Sequence, residues 1–244
     1  MSKILRRMSP FDDRRRALLR LGGAAATALA LPAAAQPGAG KRAEGRDEPP
    51  ASPAEDLMHD HGLLDRVLLV YEETLRRMNG GDQVAQLDVV GDAAGIVRDY
   101  IEGHHEKLEE AYIFPRFERA QQQMDLVKVL REQHAAGRRL TEKVSQLAKS
   151  SGALKDPVQR LQLESAMRDF IRMYRPHESR EDTVLLPALR KMLSRGEYQA
   201  LGAQFRKSER DDAAGGSLEM MVERVATIER QIGVYDLAKF TPRI

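Results

Sequence analysis

His105-Glu106-Lys107-Leu108-Glu109-Glu110-Ala111-Tyr112-Ile113-Phe114-Pro115 and His177-Glu178-Ser179-Arg180-Glu181-Asp182-Thr183-Val184-Leu185-Leu186-Pro187 follow one pattern: a histidine, a glutamate four residues on, and a proline ten residues on. A separation of four sets imidazole and carboxylate on one face of a helix, one turn apart, where both reach the same cation or two neighbouring ones. The repeat extends beyond these strings. His61 precedes His134 by 73 residues and His105 precedes His177 by 72, the same interval that separates Glu109 from Glu181 and Pro115 from Pro187. The chain therefore reads as two related helix hairpins, each giving one histidine from its first helix and a His-x-x-x-Glu pair from its second.

The surrounding sequence supplies the helices this reading needs. Ser52-Pro53-Ala54-Glu55 is a capping-box pattern with proline at the first helical position, and Leu57, Leu64, Val67, Leu68 and Tyr71 recur at helical spacing. The first helix is predicted to run to about Asn79-Gly80. A second spans roughly Val84 to Arg119, with interruptions expected near Gly91 and Gly95 and a disturbance at Pro115. A third fills Gln123 to Lys149 and stops at Ser150-Ser151-Gly152; Asp156-Pro157 then opens a fourth that reaches about Leu193, with a bend expected at Pro176. The expected architecture is all-α: an antiparallel up-down four-helix bundle over 54–193. Two shorter helices, at 197–210 and 217–232, form a C-terminal extension over 194–244 that packs on the bundle without chemistry of its own.

Composition narrows the chemistry. Charged residues make up 31% and aromatics 5%, a balance that suits long amphipathic helices, and cysteine is absent. That excludes disulfides, thiolate metal sites and cysteine nucleophiles, so any metal is held by His, Asp or Glu. The net charge of +2 is uneven: residues 1–35 carry +5, which leaves −3 for the rest. A slightly acidic body lacks the electrostatic footprint of a nucleic-acid binder, and no nucleic-acid partner is expected.

Residues 1–35 read as a signal peptide. Arg14-Arg15-Arg16-Ala17-Leu18-Leu19 precedes a mildly apolar Ala/Gly/Leu stretch, and Ala33-Ala34-Ala35 offers the small residues of a cleavage site. The paired arginines resemble a twin-arginine export signal, which implies a periplasmic protein; without cleavage the protein stays cytoplasmic or membrane-tethered. The low hydrophobicity of the segment argues against a stable membrane anchor. Residues 36–53, rich in Pro and Gly, read as a flexible linker.

A donor set of imidazoles and carboxylates suits iron, manganese or zinc, and two carboxylates placed to bridge imply two ions. A ferritin-like scheme needs a Glu-x-x-His pair on each of two helices, and this chain has that spacing only at Glu102/His105. His61, His105-x-x-x-Glu109, His134 and His177-x-x-x-Glu181 resemble the hemerythrin-like histidine/glutamate domain over roughly residues 54–193. The resemblance implies a non-haem, carboxylate-bridged pair of iron ions, with those six residues as ligands. It implies a function as carrier, scavenger or sensor of dioxygen, or of a related diatomic or peroxide ligand. The alternatives are a di-iron enzyme that reduces peroxide, nitric oxide or dioxygen, and an iron-sensing or storage protein. Where dioxygen-carrying hemerythrins place a second histidine four residues on in the third helix, this chain has Arg138. Glu106 or water is then expected to take the vacant position.

The remaining candidates have plainer readings. His59 is expected at the surface and His104 in packing or in support of a ligand. Glu110 and Asp182 either orient ligands or are solvated charges. Met58, Met78, Met124, Met167 and Met173 read as core filler, and Tyr112 and Tyr174 as lining the pocket or as ordinary packing.

Overall fold

The computed structural model describes residues 51–80, 87–150, 155–211 and 216–242, and among them there are helices and no strands. The expected signal peptide and nearly all of the linker lie outside the described residues, as does most of the link between the last two long helices of the sequence. Helix α1 spans Pro53–Gly80 and begins as its capping box dictates. The Ser52 amide donates to Glu55 Oε2 at 2.7 Å, and the Glu55 amide donates to Ser52 Oγ at 3.3 Å. Helix α2 covers residues 88–120. It runs unbroken through Gly91 and Gly95, so neither glycine interrupts it. Helix α3 is Met124–Lys149, joined to α2 by a tight turn in which Gln121 and Gln123 both take positive φ. Helix α4 covers residues 157–192, its start capped by Asp156 Oδ1, which accepts from the Val158 amide at 2.9 Å.

Two further helices follow, α5 at Arg195–Asp211 and α6 at Leu218–Gln231, and a short 3₁₀ turn at Leu237–Phe240 ends the described chain. Helix α5 opens on a second capping box, Ser194 with Glu197, and Ser217 caps α6. Both helices pack on α1, and α6 also packs on α2; the Arg66 guanidinium of α1 clasps Glu229 of α6 through two hydrogen bonds.

Both proline motifs distort their helices in the same way. A proline has no N–H to give and its ring crowds the carbonyl four residues back, so the preceding turn must change. Here it widens into a π-turn, Glu109–Ile113 ahead of Pro115 and Glu181–Leu185 ahead of Pro187. In each, the carbonyl of the motif glutamate accepts from the amide five residues on, Phe114 and Leu186 respectively. A third π-turn, Val97–His105, leads into the first motif. The fourth helix passes through Pro176 as ordinary α-helix, and its irregular turn falls at Glu181–Leu185 instead.

Helices α1 to α4 pack α1 on α2, α2 on α3, α3 on α4, and α4 on α1. Their interior holds two apolar clusters. One includes Leu64, Tyr71, Ile101, Val144, Phe170 and Tyr174; the other includes Leu57, Leu108, Phe114, Leu130, Leu185 and Leu189. Each large side chain buried in them contributes roughly 1.5–3 kcal/mol of transfer free energy. Along every one of the four helices the side chains change from one cluster to the other across the motif histidine, so the buried polar residues form a belt between two apolar cores. Met78 and Met167 fill the core as expected and Met173 packs against it. Met58 and Met124 instead lie at the surface, each 46% exposed, which corrects their reading as core residues.

Candidate metal centre

All six motif residues meet in that belt. His61, His105, Glu109 and Glu181 form one group and Glu109, His134, His177 and Glu181 another, the donor atoms of each lying within 4.8 Å of one another. The two groups share both glutamates. Glu181 Oε2 lies 3.3 Å from His61 Nε2 and 3.2 Å from His177 Nε2, while Glu109 Oε2 lies 3.7 Å from His105 Nε2 and 3.4 Å from His134 Nε2. Each carboxylate thus reaches one imidazole from each half.

The opposite edge of every imidazole is held by the neighbouring helix. His61 Nδ1 on α1 donates to Asp182 on α4 (2.8 Å), and His105 Nδ1 on α2 to Asp60 on α1 (3.2 Å). His134 Nδ1 on α3 donates to Glu110 on α2 (3.1 Å), and His177 Nδ1 on α4 to Gln133 on α3 (2.9 Å). These four bonds run one way round the ring of helices. With Nδ1 carrying the proton, each Nε2 presents a lone pair to the interior, the tautomer a metal ligand needs.

The belt is otherwise unsatisfied. His61 Nε2, His134 Nε2 and all four oxygens of Glu109 and Glu181 are buried without a hydrogen-bond partner. Buried polar groups are normally paired, and this concentration of unpaired donors and acceptors is what a cation held between them resolves. The residues present therefore fit a bound metal cation. Electrostatics agree: burial works to lower the His134 pKa, but contacts with Glu109 and Glu110 outweigh it and push it up to about 10. His61 is likewise raised, against the effect of its burial, by Asp182 and Glu181.

Glu106 stands beside this set, 1% exposed. Its Oε1 accepts from the Tyr174 hydroxyl at 2.8 Å and its Oε2 meets Arg138 Nη2 at 2.7 Å. Burial raises its pKa. With Glu110 and His134 it makes a third group of donors within 4.8 Å of one another. Tyr174 is thus more than packing, and Gly137 explains how it fits: a Cβ at 137 would lie 1.9 Å from the Tyr174 hydroxyl. Tyr112 packs beside the Phe205 ring. His59 is exposed, and His104 is buried with its ring against Tyr100.

Glu110 and Asp182, read from sequence either as orienting groups or as solvated charges, both orient imidazoles. Asp60 and Gln133 went unread. For Asp60 a signal existed, since it falls on the same helical stripe as Leu57, His61 and Leu64; Gln133 carried none. Glu178, next to His177, was also missed: it is buried, with Oε1 lacking a hydrogen-bond partner. Burial first, with repulsion from Asp65, Glu181 and Asp182, raises its pKa to about 8.

Residues 52–189 match the family model of the hemerythrin HHE cation binding domain. Uncharacterized proteins of Mycobacterium tuberculosis and Mycobacterium bovis are each 38% identical to the chain over 244 residues, covering 98% of it and 95% of their own length. No solved structure matches. Among the described residues no helix is long and apolar enough to cross a membrane.

Proposed function

Because the chain belongs to the hemerythrin HHE cation-binding family, we propose that it holds two iron ions and binds dioxygen, or a related diatomic or peroxide ligand, as a carrier, scavenger or sensor. The observation that carries this reading is the convergence of four imidazole Nε2 edges on two shared, buried carboxylates whose oxygens have no hydrogen-bond partner. On this reading His61, His105, Glu109 and Glu181 would hold one ion, and His134 and His177 with the same two glutamates the other. Manganese and zinc fit the same donors.

The roles of the chain's own groups follow. Asp182, Asp60, Glu110 and Gln133 fix the tautomer and aim of each imidazole. The two apolar clusters above and below the belt keep water from the centre. When bound, ferrous iron supplies electrons and open coordination to a small ligand. The order in which each helix crosses from cluster to cluster, reversing from one helix to the next, supports an antiparallel up-down bundle over 54–193, with 194–244 as an extension packed on it. Residues 1–35 as a twin-arginine signal and 36–53 as a linker complete the proposal, with the mature protein in the periplasm and without a membrane anchor.

A second reading has a specific observation behind it. Arg138 follows His134 by four residues, where the resemblance implies a second imidazole, and it pairs with Glu106 and Glu110; the missing imidazole favours turnover of peroxide, nitric oxide or dioxygen over reversible binding. The test is anaerobic loading of the protein with ferrous iron, a metal count per chain, and then dioxygen with the visible spectrum recorded. Two irons with a reversible ligand-to-iron band support the carrier. Two irons that oxidise irreversibly, or cycle with added reductant, support the enzyme; one iron or none overturns the pair.

A further inference from the structure

The position of Arg138 is unusual for a surface arginine. A single nitrogen, Nη2, lies 2.7 Å from Glu106 Oε2 and 2.6 Å from Glu110 Oε1. One cationic atom between two carboxylate oxygens, with His134 Nδ1 at 3.1 Å from the same Glu110 oxygen, stands where a divalent cation would bind that trio. The trio also forms a path. Arg138 is 39% exposed and Glu110 28%, whereas Glu106 and His134 are at 1% and 0%. His134 belongs to the pair centre itself. Among the described residues, groups of three or more donors within ligand range fall only at the pair centre and at this trio, so this is where cation-binding geometry continues outward to side chains that touch solvent.

The two oxygens of Glu106 are held unequally. Tyr174 is fixed: its ring is fully packed among Phe170, His177 and the space left by Gly137, so its hydrogen bond to Oε1 stays in place. Arg138 reaches Oε2 from a flexible, partly solvated side chain, which can swing out when something replaces its charge.

We propose that Glu106, Glu110 and His134 Nδ1 form a transfer site through which divalent cations pass to the pair centre before it is filled, His134 Nδ1 releasing to solvent by way of Glu110 the proton it otherwise donates to that carboxylate, and that the guanidinium of Arg138 occupies the site until an incoming cation displaces it. This rests on the metal-centre reading above and adds the route to it. Arg138 is then a gate on loading and release, with little influence on how many ions are finally held.

Cobalt(II) tests this with the full chain, because its visible bands report uptake directly and a chelator reports release. Arg138→Gln should take up and release cobalt on the order of tenfold faster than the parent, the size set by losing a partly exposed guanidinium shared by two carboxylates, with the same final count per chain. Arg139→Gln removes the same charge from the exposed neighbouring position and should change neither rate. Arg138→Lys should accelerate both steps less than Arg138→Gln, and it serves as the test if the glutamine variant fails to fold. Unchanged rates in the Arg138 variants, or equal changes in Arg139→Gln, overturn the gate while leaving the centre intact. No cobalt uptake by the parent overturns the centre and the gate together.

Discussion

On α2 the residue after the motif histidine, Glu106, accepts a hydrogen bond from Tyr174 and is ion-paired with Arg138; on α4 the corresponding residue, Glu178, is also buried, and its Oε1 has no hydrogen-bond partner. The two copies otherwise match closely. Each has its glutamate four residues on, a π-turn starting at that glutamate, and an acidic residue directly after it that orients an imidazole on the next helix round. Matching features recur where both halves must do the same thing, which is to offer one carboxylate and one imidazole to the belt. The copies part where only one of them meets an arginine. The proposed gate thus sits on the asymmetric part, beside a donor set that the two copies supply alike.

The largest expected effect tests the symmetric part. Glu109→Ala or Glu181→Ala removes an oxygen that one imidazole of each half faces, so either variant should fall from two bound ions to one or none. It should also lose most of the rise in melting temperature that metal gives, because a ligand that binds only the folded state stabilises it. Metal analysis and melting with and without iron check this; a variant that still holds two ions would show that the carboxylate is not shared.

The orienting residues come next. Asp182→Asn and Glu110→Gln keep the hydrogen bond but remove the charge behind an imidazole, a change that typically costs ten- to a hundredfold in metal affinity. Competition against a chelating dye measures both, and an unchanged affinity in either variant would mean that the charge behind that imidazole does not aid binding.

A smaller effect isolates the α2 copy. Gly137→Ala drives a methyl against the Tyr174 hydroxyl and displaces it from Glu106, at a cost of about 1–3 kcal/mol from overpacking. Chemical denaturation of the metal-free protein gives the number. A stability unchanged from the parent would mean that Tyr174 moves aside freely and that Glu106 is not fixed.

Much of this was legible in the sequence, and the reason is local. Ser52 with Glu55 and Asp156 with Pro157 announce helix starts through contacts within one turn, and the observed helices begin there. The His-x-x-x-Glu spacing and its repeat identified the six residues that the fold brings together. What escaped reading depends on which helix faces which. The ring of Nδ1 bonds needs Asp60 and Gln133 to meet histidines 45 and 44 residues away. The pairing of Gly137 with Tyr174 is likewise a fit between two helices. Proline spacing pointed to disturbance at Pro115, but whether a helix kinks or widens is decided by the packing around it, and here it widens.

Two acidic residues beside the motif, Glu110 and Glu178, should answer pH with opposite signs, which the metal-free protein reveals. Glu110 is held down to about 2 by its hydrogen bonds with His134 and then Arg138. Its folded pKa lies below the ordinary value, so its contribution to stability is fully present above about pH 4.5 and is lost as pH falls toward 2. Glu178 is pushed up to about 8, chiefly by burial. Its folded pKa lies above the ordinary value, so the protein is favoured while Glu178 keeps its proton and loses that advantage as pH rises from about 4.5 through 8. Glu178→Gln keeps the shape and removes the charge. It should therefore raise the melting temperature at pH 8 by on the order of 5 °C, with the gain vanishing near pH 4. Glu110→Gln should do the reverse, lowering the melting temperature at pH 7 with the loss fading toward pH 2. Bound metal adds positive charge beside Glu178 and favours its ionised form, so loading should flatten the Glu178 slope. Melting curves across pH for the parent and both variants, metal-free and loaded, decide the matter: slopes of the same sign in the two variants would mean that His134 and Arg138 do not hold Glu110 in its ionised form.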